Sequence, residues 1–306
     1  MKPVNSAAPL RVQGAASAAA AGALLFNAFT WGVSWWPFRQ LHAQGVHPLW
    51  ATALCYLLVS SVLALWRPSA VRDVIRTPAL WVLMFASGCT NAAFNWGVTT
   101  GDVVRVVLLF YLMPLWTLLL ARLLLREPLH AGVLARAALA LGGALVVLWP
   151  EGGGWPVPSQ PADWLGLIGG ASFALNNVML RREAHRPADA RALAMFSGGA
   201  AIGGSAALLG AGAGIAAPPW ASALSWGLPL ALLSLWFMAS NLALQYGAAR
   251  LRATTTSVVM VSEVLFASVS AVLLGAANLP PASWVGGTLI AGAAVLAAWQ
   301  EGRRGS

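Results

Sequence analysis

VVRVVLLFYLMPLWTLLLARLLL, Val103 to Leu125, decides the fold class. Its 23 residues hold two charges, Arg105 near one end and Arg122 near the other. A bilayer span takes ~20 apolar residues, so one such helix reaches from face to face. Runs of the same kind recur on both sides. Toward the start lie Ala15 to Trp36, Val46 to Trp66 and Pro78 to Val98. Toward the end lie Leu129 to Trp149, Trp164 to Leu180, Ala190 to Ala211, Leu224 to Ala248, Thr254 to Ala276 and Trp284 to Trp299. Pro and Gly punctuate most of the gaps between them. The pattern predicts an all-α membrane protein of ten transmembrane helices.

Composition points the same way. The chain of 306 residues is 59% hydrophobic and 9% charged, where a soluble domain carries roughly 25% charged residues. A net charge of +9 would favour nucleic acid in a soluble protein, but here the basic residues are dispersed between apolar runs. No nucleic-acid partner is expected; the lipid bilayer is. Cys55 and Cys89 fall inside apolar runs as small hydrophobes, so there is no disulfide framework. Ala15 to Trp36 is too long for a signal core and ends in Trp35 and Trp36, which reads as a retained first span.

Basic residues also orient the chain, because cytoplasmic loops keep the Lys and Arg excess. Sixteen of the eighteen fall on one side of the predicted membrane, and only Arg39 and Arg105 fall opposite. Both termini are therefore predicted to be cytoplasmic. The outer stretches differ in kind: Pro150 to Gln160 is rich in Gly and Pro without a basic residue. Trp149, Trp155, Trp164, Trp220, Trp226 and Trp284 sit near that boundary as expected interfacial anchors.

A shift of 150 residues lays Leu115 on Leu265, Ala121 on Ala271, Gly142 on Gly292 and Trp149 on Trp299 without a gap. A unit of five spans is odd, so its second copy enters from the opposite side, the inverted repeat typical of transporters. The expected organisation is a cytoplasmic tail (1–14), a first five-helix repeat (15–149), a periplasmic linker (150–163), a second repeat (164–299) and a short cytoplasmic tail (300–306).

The segment PLWTLLLARLLLREPL, Pro114 to Leu129, and the Arg181-Arg182 pair after FALNNVML resemble the drug/metabolite transporter superfamily in its ten-span EamA-type form. With the Trp content and the Asn-bearing third span, the chain looks most like the aromatic amino acid exporters of that superfamily. The resemblance implies alternating access, export of bulky neutral amino acids across a bacterial inner membrane, no cofactor, and no enzyme activity. Glu263 is the partner of the fourth-span motif, but Val264 follows it where the family commonly has proline. That argues against a matched kink in span nine.

Polar residues inside spans are costly in lipid, which makes each a candidate. Glu263 stands about ten residues into span nine, where a charged carboxylate would cost ~3 kcal/mol on insertion scales. It is expected to be neutral, paired or facing a wet cavity. Asn91 and Asn95 lie four apart on span three with Trp96 beside them, and Asn27 and Trp31 repeat that spacing on span one. Tyr111 on span four, Asn177 on span six beside Asn176, and Trp236 and Asn241 on span eight complete the candidate substrate-binding set. Each Asn is equally suited to hydrogen bonding between helices. Gly199 and Gly203 have the spacing of a close helix contact. His42, His47, His130 and His185 lie in or near loops, which leaves intramembrane Ser197 without a base.

A phosphorylated substrate would need buried Arg or Lys, which the predicted spans offer sparsely, Arg105 lying close to the outer mouth. A neutral or zwitterionic solute fits better, its ends met by amides and one carboxylate and its body by aromatic faces. An exporter of hydrophobic cations, such as methyl viologen, is the competing reading, with Glu263 and aromatic faces holding the cation.

Overall fold

The computed structural model describes residues 10–101, 103–126, 128, 131–149, 158, 160–274 and scattered positions from 284 to 296. All regular structure among the described residues is helical. The expected first span lies inside a longer helix, α1 (Leu10–Ala43), which continues through Pro37. A cap at His47 starts α2 (Pro48–Trp66), whose first turn carries Pro48, where the missing N–H costs nothing. Next comes α3 (Pro68–Arg76), which segregates Arg72, Asp73 and Arg76 from its apolar residues. This short helix occupies what run length alone presents as a connection, because nine residues are too few to register as a span.

The third span is α4 (Pro78–Thr100). The fourth is broken into α5 (Val103–Phe110) and α6 (Met113–Leu120), the latter extended by a π turn, Ala121–Leu125. Then follow α7 (Ala131–Leu148), α8 (Pro161–Arg182), α9 (Ala188–Leu209) and α10 (Ala223–Arg250). The ninth expected span is also broken, into α11 (Ala253–Met260) and α12 (Glu263–Leu273). The expected tenth span falls almost wholly outside the described residues. By length and composition, Pro48–Trp66, Ala188–Ala213, Trp220–Arg250 and Thr255–Leu273 are each able to cross a bilayer.

The break in span nine corrects the expectation that a missing proline would leave it straight. Ser262 N–H bonds to Val259 at 3.0 Å and Val264 N–H to Val261 at 3.1 Å, i to i+3 contacts that tighten the helix into a turn without proline. Tyr111–Leu112 and Val261–Ser262 are the two interruptions, and they stand 150 residues apart in the chain.

Polarity runs inside out relative to a soluble protein. Leu123 is 74% exposed and Leu228 66%, whereas Asn95 and Asn177 are fully enclosed at 0%. Apolar helix faces directed outward with amides directed inward are what a lipid solvent selects. The chain is a multi-pass membrane protein. Of the Trp residues expected at the boundary, Trp149, Trp164, Trp220 and Trp284 are more than half exposed. Trp226 is instead buried and donates to the Pro219 carbonyl at 3.3 Å, so its ring seals the start of α10. Trp155 lies outside the described residues.

The most extensive packings join a helix before residue 149 to one after residue 160. α4 lies on α8 and α9, α2 on α9, and α1 on α10, α11 and α12, while α5 and α6 lie on α8. Glycine makes the tightest crossing possible: a Cβ on Gly198 would stand 1.9 Å from the Met84 carbonyl, and one on Gly88 2.4 Å from the Gly198 carbonyl. Gly199 lets the Tyr56 ring lie on α9, and Gly203 faces the Leu49 carbonyl. These backbone approaches hold α2, α4 and α9 as one layer.

Candidate functional site

α1, α4, α8 and α10 converge around a cavity with two lobes that share Trp31, Thr90 and Phe173. The first lobe is rich in amides, with Asn27, Asn91, Asn176 and Asn241 among its lining residues. The second is an aromatic cup of Trp31, Phe94, Phe110 and Phe173 with a single carboxyl, Glu263. The first measures about 20 Å³ and the second about 10 Å³. That is space for a water or two, and not for an organic solute.

Each polar side chain is held by its helix and its neighbours. Asn27 Nδ2 donates to the Ser240 carbonyl at 2.9 Å and to its hydroxyl at 2.6 Å, while its Oδ1 has no partner. Asn91 Nδ2 donates to the Ser87 carbonyl at 2.6 Å, and its Oδ1 accepts from the Tyr56 hydroxyl. Asn241 Nδ2 points at Met195 Sδ, 3.5 Å away. Asn176 differs: both amide atoms are buried and neither has a partner. Buried polar atoms are seldom left unmatched, so those of Asn176 are the most available to a solute in the first lobe.

The second lobe is built by edge and tilted ring contacts. Trp31 meets Phe94 edge-on at 5.7 Å and Phe237 at 5.0 Å, and Phe94 meets Phe110 at 4.9 Å. Glu263 reaches this cup because the break at Val261–Ser262 makes it the first residue of α12. Among the described residues no hydrogen bond or ion pair engages its carboxyl. Tyr111 lies within electrostatic range of it, and the Tyr111 hydroxyl is buried without a partner.

Of the ten residues singled out in the sequence, Asn27, Trp31, Asn91, Asn241 and Glu263 line the cavity. The other five do not line it. Asn95 donates to Thr52 Oγ1 at 2.8 Å and joins α4 to α2. Trp96 packs on His47, 5.8 Å between ring centres, at the far end of α4. Tyr111 is enclosed in the core, and Asn177 is enclosed one residue past Asn176. Trp236 is 43% exposed and rests on Phe26 and Phe29 toward the outside.

The residues 19–149 match the EamA-like transporter family. The matched stretch is 131 of the 306 residues, and what it is similar to is a family of transporters. A crystal structure of another protein, 21% identical, has the same fold at a TM-score of 0.71, over 94% of this chain and 99% of that one. No curated protein matches the chain. Among the described residues no group of three or more His, Cys, Asp and Glu side chains comes together to hold a metal.

Sequence reasoning passes over Tyr56, Ser87, Thr90, Phe173 and Phe237, all of which line the cavity, and names Asn176 only as the neighbour of Asn177. A signal for some of them is present. TNAAFNWG at 90–97 and SNLALQYG at 240–247 match in kind at six of eight positions, again 150 residues apart. Thr90 and Ser240, Asn91 and Asn241, Asn95 and Gln245, Trp96 and Tyr246, and Gly97 and Gly247 are equivalent pairs. Phe173 and Phe237 carry no such mark, because a phenylalanine in an apolar run looks the same whether it faces lipid or a cavity.

Proposed function

We propose that the protein is an alternating-access exporter of bulky neutral, chiefly aromatic, amino acids, in the manner of YddG-like exporters of the bacterial inner membrane. The observation that carries this is the division of the cavity into an amide lobe and an aromatic cup. A zwitterionic head offers both donors and acceptors, and amides answer both. An aromatic side chain gains about 0.5–1.5 kcal/mol per ring pair beyond area burial, which the cup supplies. In this reading Asn27, Asn91, Asn176 and Asn241 hold the head, Trp31 and the phenylalanines hold the ring, and Glu263 meets the ammonium or a proton. Asn95, Trp96, Tyr111, Asn177 and Trp236 act from behind the site, by setting helix positions.

Ten spans in two inverted repeats, 15–149 and 164–299, with both termini in the cytoplasm, complete the proposal. Three features support it. The helix breaks recur after 150 residues. So do the polar motifs on α4 and α10. The packings also come in matched sets: α4 on α8 answers α10 on α1, and α5 with α6 on α8 answers α11 with α12 on α1. A cavity too small for its solute in this conformer is consistent with a carrier whose halves rock to load and release. The lone carboxyl among aromatic rings also favours a second reading, export of hydrophobic cations.

Counterflow in proteoliposomes with labelled phenylalanine, a panel of amino acids and methyl viologen tests both. Saturable phenylalanine counterflow that falls at least tenfold in Trp31→Ala and Glu263→Gln supports the amino-acid reading. Transport of methyl viologen alone would replace it with the second. Undiminished phenylalanine flux in both variants would remove the cavity from the pathway.

A further inference from the structure

We infer that Asn27–Ser240 and Asn177–Thr90 are alternate halves of one latch, the first closed in this conformer and the second closed in the opposite one. The inference rests on the rocking motion proposed above, and adds the residues that hold each end state. A step of 150 residues carries Asn27 to Asn177 and Ser240 back to Thr90. The interface of α1 with α10 therefore has its counterpart in α8 with α4, and both pairs run antiparallel.

The two interfaces are not in the same register. On α1, a Cβ at Gly247 would meet the Ala20 carbonyl and the Leu24 side chain. The equivalent residue, Gly97, should then face Gly170 and Ala174, but it faces Leu165 and Ala162 instead. Gly101 likewise abuts Ala162, and Gly169 abuts the Phe94 amide. The α4–α8 pair is thus displaced from the α10–α1 arrangement by at least one helical turn, about 5.4 Å. Thr90 shares the cavity wall with Phe173 and Asn176, whereas Ser240 is bonded to Asn27.

That displacement leaves a mark. Asn177 is 0% exposed, and neither atom of its amide has a partner, although its equivalent Asn27 donates twice. No solute reaches it there. Only movement of a neighbouring helix relieves it, and Asn177 stands one turn beyond Phe173, which lines the cavity together with Thr90. Thr90 Oγ1 donates to its own Ala86 carbonyl at 2.8 Å, which leaves the oxygen free to accept from Asn177. Sliding α4 by a turn along α8 closes this bond. The pseudo-equivalent slide of α10 along α1 opens Asn27–Ser240. One buried amide bond is exchanged for another, so neither end state is strongly favoured, as a bistable carrier requires.

The test is crosslinking in a chain whose native thiols are removed by Cys55→Ala and Cys89→Ala. Asn27→Cys with Ser240→Cys forms one pair, Thr90→Cys with Asn177→Cys the other, and a short thiol crosslinker is applied after reconstitution. Both pairs are expected to link, and each link alone should stop whatever counterflow the same double-cysteine protein shows before linking, with reduction returning it to that level. A Thr90–Asn177 pair that fails to link where Asn27–Ser240 links, or links without stopping counterflow, overturns the latch. The linking pattern is read without any transported solute, so failure of the amino-acid reading shows separately, as a parent protein with no amino-acid flux. As a second measurement, Asn177→Leu should keep or raise the unfolding temperature while counterflow falls at least tenfold. The exchanged pair, Asn177→Thr with Thr90→Asn, should recover it; unchanged counterflow in Asn177→Leu also overturns the latch.

Discussion

Asn27 Nδ2 is bound by both oxygens of Ser240, at 2.9 and 2.6 Å, and this ties α1 to α10 beside the cavity. Removing the hydroxyl with Ser240→Ala leaves the carbonyl as acceptor, so the loss is that of one net hydrogen bond, about 0.5–1.5 kcal/mol. In Asn27→Ala the same change should cost nothing further. A double-mutant cycle read by unfolding in detergent checks this, and additive losses would mean that the two side chains do not interact.

The crossing of α4 and α9 sets a second expectation. Because a Cβ at Gly198 would enter the Met84 carbonyl, Gly198→Ala forces the helices apart and should cost about 1–3 kcal/mol or more. Gly22 in α1 has nothing within 4 Å of the place a Cβ would take, so Gly22→Ala should instead stabilise the helix by up to about 1 kcal/mol. Thermal unfolding should therefore move in opposite directions for the two alanines.

Asn176 offers an unmatched amide to the first lobe. Asn176→Leu should leave folding intact, since no protein partner is lost, and raise the KM for amino-acid counterflow about fivefold to a hundredfold, the range for one buried hydrogen bond of 1–3 kcal/mol. An unaltered KM would place the amide outside the solute's reach.

His47 caps α2, its Nδ1 accepting from the Leu49 amide at 3.2 Å. Burial, and then repulsion from His42, hold its pKa below the ordinary 6.5. A His neutral in the fold but readily protonated when unfolded binds more protons in the unfolded state, so stability falls as pH drops through about 6.5. Unfolding temperature should decline between pH 7.5 and 5.5, and less so in His47→Asn, which keeps a capping oxygen. An identical decline in the variant would assign the effect to other groups.

Apolar run length and the spread of arginines are enough to read a helical membrane protein, because a bilayer imposes both through solvation alone. The chemistry of the candidate site is legible for Asn27, Asn91, Asn241 and Glu263 for the same reason: polar groups are too costly in lipid to be there without cause. What the sequence could not rank is which polar groups face the cavity. Asn95 and Asn91 share a helix face, yet one bonds across to Thr52 and the other lines the lobe. Asn176 and Asn177 adjoin, yet only the first lines it.

The sequence by itself determined the solvent of this protein, the places where its helices run and the 150-residue echo between its halves, since these depend on local hydrophobicity and on residue identity. Only the tertiary structure decided that the span-nine carboxyl stands at a helix break inside an aromatic cup, and that α4 sits a turn out of step on α8. Those facts depend on helix rotation and register, which are set by the contacts a helix makes with its neighbours and leave no periodic trace along a uniformly apolar chain.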